Sequence, residues 1–187
     1  LPLVFVGYGI TSEDLNYDDY EGVDVEGKIA VILRQTPRPG EENAPFVDPG
    51  DNPYSPLSYK IQKAATNEEA GVIFVNDRDK AGDDDPLMAF DYARGMDAGF
   101  PVIHVRRDVL DRMLRGAGET TLTQIEDAID RDLKPQSREL AGWTAALKTD
   151  VNQNNIDARN VIGVLEGAGP LADETVIIGA HYDHLGR

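Results

Sequence analysis

Ile29-Ala30-Val31-Ile32-Leu33 is apolar at every position, and Val72-Ile73-Phe74-Val75 is too. A strand with one wet face alternates; a short β-branched run without alternation must be covered on both faces. Both runs are therefore read as buried strands. The residues between the runs read as a helix: Leu57, Ile61, Ala64 and Ala65 recur at helical spacing, with Ser55-Pro56 as a start signal and Gly71 as a stop. Strand, helix and strand in succession predict an α/β layer arrangement.

Other segments extend this pattern. Leu3-Val4-Phe5-Val6 reads as a strand leaving through Gly7-Tyr8-Gly9, and Pro101 to Val105 as another strand. Residues 36–56 hold six of the eleven prolines and predict an irregular loop. Residues 77–99 also read as loop. Asp108 to Arg115 predicts a short helix ended by Gly116. Thr123-Gln124-Ile125-Glu126 fits a capping box opening a helix through Leu133, stopped by Lys134-Pro135. Beyond residue 140 the character changes to three strands, within Trp143 to Val151, Val161 to Leu165 and Thr175 to Ala180, with turns near Gly167 and Gly169. They predict the edge of a new sheet. The expected domains are 1–139 and 140–187.

Charge narrows the partners. Eighteen basic against 34 acidic residues give a net charge of −16 over 187 residues. That argues against a nucleic-acid binder, which needs a basic face, and against an anionic membrane surface. No apolar run approaches a membrane-spanning length. Cysteine is absent, so disulfides, thiolate metal sites and a cysteine nucleophile are excluded. The chain opens at Leu1 inside an apolar run and stops three residues after a His/Asp cluster, so both ends read as cuts.

That cluster, His181-Tyr182-Asp183-His184, directly follows an apolar run. A strand places residues i and i+2 on one face, so His181 and Asp183 are expected to leave the strand end together. Imidazole suits zinc, and a carboxylate can orient it. From spacing alone, a polar strand end facing water is the stronger reading, because zinc needs three or four ligands. His104, mid-strand elsewhere, reads as a hydrogen-bonded sheet residue. Gly7-Tyr8-Gly9 has Ser12 where a dinucleotide fingerprint needs glycine, and Gly167-Ala168-Gly169 is followed by Pro170, so both read as turns. Asp83-Asp84-Asp85 lacks calcium-loop spacing and reads as a solvated acidic loop. Asp18, Asp19, Glu21, Asp24 and Glu26 read as solvated surface rather than paired catalytic carboxylates. No Gly-x-Ser-x-Gly nucleophile motif is present.

Val4 to Ile10, Asp19-Tyr20 and Val23 to Ile29 closely resemble the opening of a protease-associated domain, in the version inserted in bacterial two-zinc aminopeptidases. Ala70 to Val75 and Phe100 to Ile103 look like its next core strands. Asn160 to Gly167 and Val176 to Gly186 look like the start of the peptidase domain. The resemblance implies a β-sandwich or barrel-like sheet flanked by short helices, followed by the first strands of an α/β zinc-peptidase sheet. It implies a role for His181 as a zinc ligand in the complete enzyme, with Asp183 as the carboxylate holding its imidazole; His184 receives no metal role. The family uses two zinc ions and hydrolyses peptides with a free N-terminus, outside the cell or in its envelope. The remaining ligands are expected beyond Arg187, so the chain alone is expected to be inactive and to bind no zinc stably. A binding module on a metal-free peptidase-like body is the alternative. Self-association through exposed strands is also expected.

Overall fold

The computed structural model describes residues 1–39, 44–46, 52–89, 98–118, 120–151 and 159–181. The chain divides into two compact units, Leu1–Asn152 and Gln153–Arg187.

The first unit is built on a five-stranded sheet. Its strands are β1 (Pro2–Phe5), β4 (Ile29–Leu33), β5 (Gly71–Val75), β6 (Val102–Val105) and β7 (Arg138–Thr144), in the order β6-β5-β4-β1-β7. β1, β4, β5 and β6 are mutually parallel, with Ile29 opposite Leu3 and Gly71, and Ile73 opposite Ile103. β7 closes the other edge antiparallel to β1. A separate ribbon pairs β2 (Thr11–Ser12) with β3 (Tyr17–Asp18).

The unalternating runs do have two covered faces. Leu3, Phe5, Ile29, Val31, Leu33, Ile73 and Val75 point into one core, while Val4, Val6, Ala30, Ile32, Val72 and Phe74 point into the other. The first core is filled by Leu110 and Leu114 of α3 (Arg107–Gly118) and by Leu122, Ile125 and Ile129 of α4 (Leu122–Asp132). The second is covered by Ala64, Leu57 and Ile61 of α1 (Leu57–Thr66). Each large side chain so buried contributes about 1.5–3 kcal/mol. Helices on both faces make a three-layer α/β unit. Among the described residues there is neither a closed barrel nor a second sheet packed face to face, because strands buried on both sides leave no free face for one.

Several local expectations shift. Ser55 does not cap α1: Pro56 holds the N-cap position, and the Ser55 hydroxyl donates to Gln35 Oε1 at 2.8 Å. Gly71 does not stop α1 but begins β5; the stop is Asn67, followed by Glu68 at φ +57°. A one-turn helix, α2 (Arg78–Ala81), lies within the expected loop, nucleated by Asp77 accepting from Lys80 N. α3 runs past Gly116 to Gly118. The capping box exists but starts two residues earlier. Thr121 accepts from Gln124 N, and the Gln124 side chain accepts from Thr121 N at 2.9 Å. β7 crosses the expected 139/140 boundary and belongs to the first sheet, since β1 otherwise has an unpaired edge.

In the second unit, residues 159–181 form neither helix nor strand. A turn lies where the Gly167–Gly169 pattern placed one, with Ala172 N donating to Gly169 O at 3.2 Å. The expected strand runs are extended in sequence only: Val161, Ile162, Val164, Leu165, Val176, Ile177 and Ile178 are all at least 80% exposed.

The cap register is testable. Thr121→Ala is expected to destabilise by about 1 kcal/mol in urea unfolding, whereas Thr123→Ala changes stability by less than about 0.5 kcal/mol. The reverse order would restore the register read from the sequence.

Candidate functional site

The parallel strands all end on one edge of the sheet, and in such sheets ligands gather beyond the carboxyl ends. Polar residues leave that edge from all four strands: Gly7-Tyr8-Gly9 after β1, Arg34-Gln35 after β4, Asn76-Asp77 after β5 and Arg107 after β6.

The loop after β1 wraps a carboxylate. Asp19 is fully buried; its Oδ2 accepts from Tyr8 N at 3.0 Å and Ile10 N at 3.1 Å, and its Oδ1 accepts from the Tyr17 hydroxyl at 2.9 Å. Gly7 is required here. It sits at φ +47°, and a Cβ would lie 2.2 Å from Asp19 Oδ1. Lys60, also fully buried, donates from Nζ to Tyr8 O and, at 2.8 Å, to Gln35 O. Burial pushes Asp19 up to about 7, against its hydrogen bonds and the Lys60 charge. Burial pushes Lys60 down to about 7, against Asp19 and Asp77. Asp19 is thus no part of a solvated acidic surface: it and Lys60 bolt the loops after β1 and β4 together.

A second network crosses the neighbouring strand ends. Arg34 Nη1 donates to Asn76 Oδ1 at 2.8 Å, and Asn76 Nδ2 donates to Asp85 Oδ1 at 2.8 Å and Pro86 O at 2.9 Å. Asp85 Oδ2 accepts from Arg107 N at 2.6 Å. This member of the Asp83-Asp84-Asp85 run is therefore structural rather than solvated. His104, in β6, accepts at Nδ1 from Met88 N at 3.0 Å, so its neutral form carries the proton on Nε2. Burial first and Arg34 second hold its pKa below the usual histidine range. A third network centres on Glu126 of α4, fully buried, which takes both Arg107 guanidinium nitrogens and Arg78 N at 2.9 Å.

Most of these groups are paired within the unit, although Arg34 Nε, Asp77 Oδ2 and His104 Nε2 are buried without a hydrogen-bond partner among the described residues. The open feature is a groove of about 430 Å³ beside α1, lined among others by Pro53, Pro56, Tyr59, Ile61, Ala65 and Ala98. Its lining is largely apolar, with Ser58 and Gln62 as polar members and no charged side chain among the described residues, so it can seat a mostly apolar chain.

His181 is exposed in the second unit, while Asp183 and His184 lie outside the described residues. No three His, Asp or Glu side chains come together to hold a metal among the described residues. Imidazole has the right chemistry for zinc, but one described donor does not make a zinc site, which needs three or four ligands. Sequence reasoning missed Lys60, Asn76, Arg107 and Glu126. Lys60 did leave a trace, a lysine at the inward-facing position between Leu57 and Ala64 of an otherwise apolar helix stripe.

The PA domain family model matches residues 1–113 of the 187, from β1 into α3. The chain therefore belongs to the protease-associated domain family. Domains of this family are found in proteases, typically secreted or extracellular ones, as modules for substrate access or interaction. No curated protein matches the chain. No helix among the described residues is long and apolar enough to cross a membrane.

The Asp19–Lys60 bolt is open to a double-mutant cycle. Asp19→Ala leaves Tyr8 N, Ile10 N and the Tyr17 hydroxyl without their acceptor, and is expected to cost about 3–5 kcal/mol by urea unfolding. Adding Lys60→Met should cost clearly less than it does alone, by about 1 kcal/mol or more. Strict additivity would show that the two side chains do not act as a unit.

Proposed function

We propose that the chain is the substrate-access module of a zinc-dependent aminopeptidase that hydrolyses N-terminal peptide bonds, joined to the first segment of its peptidase domain. The observation that carries this reading is the order of two signals in one chain. A protease-associated domain occupies residues 1–113, and an apolar run ending in His181-Tyr182-Asp183 follows it. In this reading His181 is one zinc ligand of the complete enzyme and Asp183 orients its imidazole. Two zinc ions there would activate water and polarise the scissile carbonyl. No step of that chemistry is assigned to this chain, which contributes one described donor. Its own part is to bind and admit peptides with a free N-terminus, and the apolar groove beside α1 supports it. Val161 to Leu165 and Val176 to Ile178 have the unalternating character of strands covered on both faces. Their exposure here supports a peptidase body, or failing that another copy of the chain, as their cover. The compartment in this reading is extracellular or the cell envelope.

A module without catalysis, on a peptidase-like body lacking metals, is the second reading; the absence of charged chemistry in the groove favours it.

Two measurements separate them. The purified 187-residue chain is expected to show no turnover of leucine p-nitroanilide with added zinc, and zinc-dependent turnover abolished by His181→Ala would overturn the division of labour. In the complete protein, His181→Ala is expected to lower bound zinc and to reduce turnover by roughly 100-fold or more. Unchanged zinc and turnover would remove His181 from the metal site, and a complete protein that never cleaves N-terminal amides would establish the binding module.

A further inference from the structure

Glu69 stands in the turn between α1 and β5, where Glu68 takes a left-handed backbone and Glu69 N donates to Ala64 O at 3.1 Å. This turns the Glu69 side chain inward. The residue is 4% exposed, and both carboxylate oxygens are buried without a hydrogen-bond partner among the described residues. The Tyr20 hydroxyl is buried without one as well. Burial first and the Glu69 charge second push that hydroxyl up, with Asp19 and Tyr59 adding to the effect; the Asn67 side chain approaches it and opposes them.

The segment 20–28 lies over this turn. Gly27 N donates to Glu68 O at 2.9 Å, and Ala70 N donates to Lys28 O at 2.8 Å. Val23 and Val25 pack with Tyr20 against the core on the α1 side. The charges of the segment are directed elsewhere. Glu21, Asp24 and Glu26 are exposed, and Lys28 pairs with Asp24 at 3.1 Å and Glu139 at 2.7 Å. On the other side the turn offers Lys63 of α1 and the exposed Glu68. Among the described residues no cation compensates Glu69, and burial is the cause that pushes its pKa up.

We propose that Glu69 is the bolt of a proton-operated latch, which seats the 20–28 segment on the α1–β5 turn while its carboxyl is protonated and releases it, uncovering Val23 and Val25, on ionisation. The inference stands independently of the peptidase reading. A buried carboxylate without a partner cannot stay charged in place, and the least disruptive relief is to break the two main-chain bonds that hold the segment.

The sign follows from linkage. Burial pushes Glu69 up to about 8 in the closed state, from 4.5 for a solvated glutamate. The closed state binds the extra proton, so its advantage is complete in acid and is lost as pH rises through this window. The opening constant should rise about tenfold per pH unit between roughly pH 5 and 8, and level off beyond.

Native-state amide exchange of the full chain tests this. Between pH 5 and 8, corrected for intrinsic rates, the opening constants of Gly27 and Ala70 are expected to rise about tenfold per pH unit. Phe74, in the central strand, should lack that slope. Glu69→Gln should abolish it, and Tyr20→Phe should keep it. The latch is overturned if Glu69→Gln retains the slope, or if Phe74 shares it, which would make the effect global unfolding. A carboxyl carbon NMR titration of wild-type Glu69 stands even if the variant does not fold. A midpoint near 8 supports the latch, and one near 4.5 overturns it.

Discussion

Two-sided burial of the parallel strands is the constraint on which the first unit rests. Once Ile29 to Leu33 and Gly71 to Val75 lie side by side, each with alternate side chains in opposite cores, α1 must cover one face and α3 with α4 the other. Parallel strands also bring all their carboxyl ends to one edge, where chain segments with different destinations crowd together. That edge cannot be sealed by apolar packing, because its loops bring main-chain donors and acceptors with them. Asp19, Lys60, Asn76, Asp85 and Glu126 seal it by taking up those groups.

Among the described residues, Asp85, Glu126 and Arg107 at this edge are engaged with one another and with the main chain, while the groove beside α1 is largely apolar and open. In the second unit the apolar residues from Val161 to Ile178 are exposed, and no strand forms among its described residues.

Buried ionisable groups appear in two forms with different consequences. Asp19 accepts from Tyr8 N, Ile10 N and the Tyr17 hydroxyl and feels the Lys60 charge, so its burial is compensated and it fastens the loop after β1. Glu69 has no hydrogen-bond partner for either carboxylate oxygen among the described residues, so its burial is uncompensated, which is the basis of the proposed latch. The distinction lies in the neighbours, not in the residue type.

Much of the first unit was legible from residue order. Unalternating runs specified the buried strands, helical spacing specified α1, and the Gly-Tyr-Gly and Asp-Tyr signals carried the family. Such features are local, and local periodicity is what a sequence displays directly. The sequence by itself determined that Ile29 to Leu33 and Val72 to Val75 are buried strands with a helix between them in the chain. Only the tertiary structure decided that β7 returns to pair with β1 across more than 130 residues, that Thr121 rather than Thr123 caps α4, and that Asp19 is buried against Lys60 while its acidic neighbours stay in water. The β7 pairing and the burial of Asp19 depend on partners outside the local pattern, and no pattern within a few residues records whether a carboxylate will meet a donor or solvent.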